Sequence, residues 1–137
     1  MNGREMNPPV KTLKRYNGLR ELLLDKDLAG LGDAYVNFIY SLAMSQRYQR
    51  PMGAKVKNQV LADAVEKSGL RRLLPRRLNR HTRGNTAEAL LVFAWLEDLL
   101  DLNDCVRMLS KEEDPAEAFA NLLREVLKKL DVVPEQE

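Results

Sequence analysis

Two acids in unusual surroundings are the residues of this chain best equipped for chemistry. Asp33 lies in Leu28-Ala29-Gly30-Leu31-Gly32-Asp33-Ala34, a mostly apolar stretch with helical spacing and two glycines beside the acid. A carboxylate among apolar groups is costly unless it is paired or holds a cation. A glycine inside a helix loses about 1 kcal/mol relative to alanine. Both features suit a place where backbones approach closely, or where a metal or phosphate must be reached. Asp33 also fits an outer helix face shared with Asn37 and Tyr40. Glu88 lies in Gly84-Asn85-Thr86-Ala87-Glu88-Ala89-Leu90-Leu91, at the head of the most apolar stretch. Asn85 with Glu88 three residues later spells a capping box, a purely local device. In the alternative reading, Glu88 faces Asp33 across a helix pair and shares a divalent ion with it. Carboxylate oxygens favour hard ions such as Mg²⁺ or Mn²⁺.

Other metal and nucleophile chemistries have few residues to work with. His81 is the single histidine and Cys105 the single cysteine, which excludes histidine clusters, multi-cysteine metal sites and an internal disulfide. His81 reads as a surface residue of a basic loop, with phosphate contact near Glu88 as the other option. Cys105 has no activating partner in sequence and reads as packing, as do Phe93, Trp95 and Phe119. The four tyrosines are not spaced as a stacking platform.

The elements that would carry the two acids are helices throughout. A short helix is expected over Lys14–Leu24, and a long one from Asp27, as cap, to Tyr48. Arg50-Pro51-Met52-Gly53 breaks the pattern. A third helix is expected over Ala54–Ser68, ended by Gly69. Residues 70–83 read as a basic connection with a helical turn before Pro75. A central buried helix is expected over Asn85–Leu100, a shorter one over Asn103–Leu109, and a last one over Asp114–Leu130 with Asp114 as cap and Pro115 at its first position. No segment alternates as a strand would, so the fold class is all-α. Domain organisation follows: a loose N-terminus over 1–10, one helical domain over 11–131 and a tail over 132–137.

With 45% hydrophobic and 31% charged residues, the composition is that of a soluble globular chain. No apolar run approaches a membrane span. The opening MNGREMNPPV lacks the apolar stretch of a secretory signal, and a reducing cytoplasm is the expected location. The net charge of +2 conceals an asymmetry: residues 1–83 hold 17 Lys and Arg against 7 Asp and Glu, whereas residues 84–137 hold 5 against 13. The excess is densest from Arg47 to Arg83. Clustered cations attract a polyanion through counterion release; the plainer reading docks the basic half on the acidic half of the same fold.

Taken together, the two acidic segments resemble a known family. LGDA at Leu31–Ala34 is similar to the signature helix of ribonuclease III, and AEALL at Ala87–Leu91 to that family's second acidic motif. LADAVEKSGLRRLLP at Leu61–Pro75 reads like the section between them, so the likeness spans roughly Asp27–Leu100. It extends to archaeal ribonuclease III-like proteins and to the compact Mini-III enzymes without a separate RNA-binding domain. The resemblance implies a ribonuclease III-like helical bundle, a symmetric homodimer and metal-dependent cleavage of double-stranded or structured RNA, with a ribosomal RNA precursor as one candidate. It assigns Asp33 and Glu88 to one Mg²⁺ or Mn²⁺, with Asn85 as a neutral ligand or a positioner of water. Lys55, Lys57, Arg71, Arg72, Arg76, Arg77, Arg80 and Arg83 become the candidates to grip RNA phosphates. Two departures stand out: Ala29 and Asn85 occupy positions that are usually acidic in the family. They favour a second hypothesis, a catalytically reduced RNA-binding or ribosome-associated relative. A third is a helical protein-interaction module.

Overall fold

Four of the helices begin on an oxygen-bearing side chain that takes up an otherwise orphaned backbone N–H. The computed structural model describes residues 15–132. Its helices are α1 (Leu19–Leu23), α2 (Lys26–Tyr48), α3 (Asn58–Ser68), α4 (Arg80–Leu96), α5 (Leu102–Lys111) and α6 (Pro115–Lys129), with a 3-10 turn at Leu70–Leu73 between α3 and α4. Asp25 caps α2, accepting from the N–H groups of Asp27 and Leu28. Asn79 caps α4 through Thr82 N–H, Asp101 caps α5 through Asp104 N–H, and Asp114 caps α6 ahead of Pro115. No strand occurs among the described residues, and the fold is all-α as expected. The expected loose N-terminus at 1–10, and residues 133–137 of the expected tail, lie outside the described residues.

The central element is α4, which packs against α1, α2, α3 and α6. Its Ala87, Ala89, Leu90, Leu91, Val92 and Ala94 are all buried, as the apolar run predicts. Around it Phe119, Leu122, Leu123 and Val126 of α6, Leu61 and Val65 of α3, and Val36 and Ile39 of α2 close the core. Phe119 is fully buried, whereas Phe93 and Trp95 are only half-buried. Tyr35 stacks on Trp95 at 5.6 Å, Tyr16 meets Phe93 edge-on at 6.4 Å and Tyr40 leans on Phe119 at 5.9 Å, so three tyrosines join the packing instead of forming a platform. Cys105 is buried, with the Tyr35 hydroxyl donating to its Sγ at 3.7 Å, and its thiol is pushed up to about 11, chiefly by burial. Packing is therefore its role. No helix of the described residues is long and apolar enough to cross a membrane.

Several expectations about helix starts are corrected: α1 begins at Leu19 instead of Lys14, and Asp25 instead of Asp27 caps α2. The third helix begins at Asn58, not Ala54, because the preceding backbone is strapped to α2. Asn37 Oδ1 accepts from Val56 N–H at 2.8 Å, Ser41 Oγ from Ala54 N–H at 2.8 Å and Ser45 Oγ from Met52 N–H at 2.9 Å. Four helical residues advance about 6 Å and two extended residues about 6.6 Å, so every fourth side chain of α2 meets every second amide of the strap. Those amides cannot also join a helix. The fourth helix begins at Arg80, not Asn85, so Asn85 is no cap and the capping box with Glu88 does not form. Gly84 lies within α4, where a Cβ would come within 2.6 Å of Asn58 Oδ1.

Candidate active site

The crossing of α2 and α4 is tight at one point. A Cβ on Gly32 would lie 2.1 Å from the main-chain oxygen of Glu88, so glycine is the residue that lets the two backbones meet. Gly30, two positions earlier, meets nothing within 4 Å. Of the two glycines noted in the sequence, only Gly32 answers to close approach. That contact brings residue 33 of one helix alongside residue 88 of the other.

The outcome is an open cavity of about 430 Å³ between α2, the strap, the first turn of α3 and α4. Asp33 and Glu88 both line it, together with Lys26, Ala29, Gly30, Lys55, Val56, Asn58, His81 and Asn85. Asp33 is exposed, and Asn37 Nδ2 donates to its Oδ1 at 3.4 Å while the other end of the same amide holds Val56. Asn37 thus ties the acid to the strap. Glu88 is 7% exposed. Burial, then a side-chain hydrogen bond and the charge of Asp33, push its carboxyl up to about 8. Asp33 thus keeps its outer-face placement with Asn37 while also reaching the Glu88 carboxyl, and Tyr40 instead turns to Phe119.

The groups in this cavity able to meet a cation are the carboxyls of Asp33 and Glu88, with the amides of Asn85 and Asn58 close by. Such a set fits one hard divalent cation completed by water. Ala29 lines the cavity at a position that brings no carboxylate. No group of three or more His, Cys, Asp or Glu able to hold a metal occurs among the described residues.

The basic residues divide into two groups. Lys55 lines the cavity, and Lys57 is exposed at the N-cap of α3. Arg72, Arg76, Arg77 and Arg80 are exposed along the connection into α4. Arg71 instead donates to the carbonyls of Pro75 and Arg76, and Arg83 to that of Leu78 at 3.1 Å, so these two guanidinium groups brace the connection. Lys26 and Asn58 are cavity residues that the sequence reading did not name, and His81, read as a surface residue of a basic loop with phosphate contact as the other option, lies in the first turn of α4 and lines the cavity. For His81 a signal existed. His81, Asn85 and Glu88 are spaced by four and three, one face of a helix, once α4 is started at Asn79.

A search of individual curated proteins gives no significant match. The family profile described as Ribonuclease III matches residues 26–132, well over half of the chain, and spans both acids, the strap and the basic connection. By this match the chain belongs to the ribonuclease III family.

Proposed function

We propose that the protein is a divalent-metal-dependent endoribonuclease that cleaves double-stranded or structured RNA, with Asp33 and Glu88 as its metal-holding pair. The observation that carries this reading is the meeting of the two acids in one open cavity edged by Lys26 and Lys55. Two carboxylates so close repel one another when both are charged, and the arrangement becomes favourable when a cation joins them. A bound Mg²⁺ or Mn²⁺ supplies Lewis acidity at a phosphate oxygen and an activated water. The chain's own residues do the rest. Asp33 and Glu88 would hold the ion, Asn85 would position a water through its amide, and Lys55 would meet a neighbouring phosphate. Lys57, Arg72, Arg76, Arg77 and Arg80 follow the RNA backbone, reading A-form shape more than sequence. Arg71 and Arg83 contribute by holding the connection that carries these arginines.

A homodimer is part of the proposal. Leu31 and Phe38, 41% and 54% exposed, share a stripe of α2 with the exposed Ala34 at spacings of three and four. Covering that stripe with a second copy removes apolar surface from water and gives two cavities per assembly.

The test is cleavage of duplex RNA in Mg²⁺ and Mn²⁺ by protein free of host nucleases. Asp33→Asn and Glu88→Gln each lower the rate by at least about a hundredfold, the scale of removing one ligand of a reacting metal site. Intact duplex after incubation of the wild-type protein with both metals rules the enzyme out. The second reading, an RNA-binding relative without turnover, is favoured by Ala29 and Asn85 standing where further acids would complete a larger ligand set. It gives salt-sensitive binding that survives both substitutions.

A further inference from the structure

His81 is the one histidine of the chain, and its ring lines the cavity that holds Asp33 and Glu88. The ring is held in a particular way. Its Nδ1 lies 2.7 Å from Asn58 Nδ2, and an amide nitrogen only donates, so Nδ1 must present its lone pair. The ring proton then sits on Nε2. Asn58 is itself fixed: its amide lies against Gly84, the one residue type without a side chain to displace it. One turn of α4 therefore supplies both the imidazole and the gap that seats its partner. Along the same face follow Asn85 and Glu88.

We propose that His81 is a phosphate-binding residue of this site, held by Asn58 as the Nε2–H tautomer so that Nε2–H donates to a non-bridging oxygen of the RNA phosphate beside Asp33 and Glu88. The proposal rests on the nuclease reading above for the identity of the ligand. Its physical logic is that a neutral donor suits this position. Lys26 and Lys55 already bring two cations to the cavity, and a further positive charge would oppose a divalent ion on the acid pair. A neutral N–H aimed at developing negative charge stabilises it without that conflict. The Asn58 contact does for the ring what a second-sphere hydrogen bond commonly does for histidines, selecting the tautomer and the orientation together.

A single histidine makes the test direct. Long-range ¹H–¹⁵N NMR of the wild-type protein reports an acceptor-type Nδ1 and a protonated Nε2. Asn58→Asp, whose carboxylate only accepts, moves the proton to Nδ1. Addition of a short RNA duplex in Ca²⁺ shifts the Nε2 resonance of the wild type, and much less that of Asn58→Asp. In the Mg²⁺ cleavage assay, His81→Gln, whose amide nitrogen reaches the place of Nε2, stays within about threefold of wild type. His81→Phe, similar in shape and without a donor, loses about tenfold to a hundredfold in kcat/KM at an unchanged melting temperature. A wild-type Nδ1–H tautomer, an Nε2 resonance indifferent to RNA, or equal activity of the Gln and Phe variants overturns the proposal. If the wild type cleaves nothing yet Nε2 responds to duplex, the nuclease reading fails and the phosphate contact stands.

Discussion

At pH 7 the Glu88 carboxyl holds a proton, since its burial and the adjacent Asp33 push it up to about 8. This has a consequence for stability of the metal-free protein. In the unfolded chain the same group ionises near 4.5, so between 4.5 and 8 the folded state binds more protons than the unfolded one. Stability from this group is complete below about 4.5 and is lost as pH rises through 8, at up to about 1.4 kcal/mol per pH unit. Urea unfolding in EDTA should therefore show the wild type losing stability relative to Glu88→Gln between pH 5.5 and 8, and parallel pH dependences would refute the assignment. Added Mg²⁺ at pH 8 should restore part of the loss. At this scale the sequence was informative about type and less so about company. Asp33 and Glu88 stand out as acids among apolar residues. His81 and Asn58 do not, because what joins them is the contact of Asn58 with Gly84, a tertiary fact.

Between elements, the governing contact is glycine on backbone. Gly32→Ala forces a methyl carbon to 2.1 Å from the Glu88 carbonyl oxygen, a backbone atom, so the helices themselves must shift apart. We expect a loss of at least about 1–3 kcal/mol, with reduced metal affinity as the acids part. Gly30→Ala meets no atom and should stabilise by up to about 1 kcal/mol through helix propensity. Urea denaturation of the two variants checks the contrast, and effects of the same sign would count against it. The helix start at Asp114, marked by Pro115 after the acid, was legible, whereas the caps at Asp25 and Asp101 lie two residues before the starts read at Asp27 and Asn103. Starts were misread where tertiary hydrogen bonds intervene: the strap withholds residues 52–57 from α3, and a glycine normally read as a stop sits inside α4. Periodicity sees one element at a time, and both errors arise from a second.

Over the whole molecule, the basic and acidic halves join in two different ways. Lys67 meets Glu117 at 3.9 Å across α3 and α6, whereas Arg47 of α2 donates to the carbonyls of Ser110 and Glu112 at 2.9 Å, at the C-terminal end of α5. That arginine serves as a helix-end brace, and Arg72, Arg76, Arg77 and Arg80 remain exposed at the surface. The proposed homodimer is tested at the apolar stripe on α2: Phe38→Glu should convert a dimer to a monomer in sedimentation equilibrium with its helical circular dichroism intact. A monomeric wild type would sink that expectation. Asp33 and the stripe belong to one helix, so a monomeric variant also reports whether the cavity needs its twin to work. The seat of Gly32 carries a wider implication. It rests on the carbonyl and Cβ of position 88, atoms that every residue but glycine owns. The acid there is accordingly interchangeable as far as the architecture is concerned, so this scaffold is free to acquire, trade or forfeit its reactive groups while its shape stays as it is.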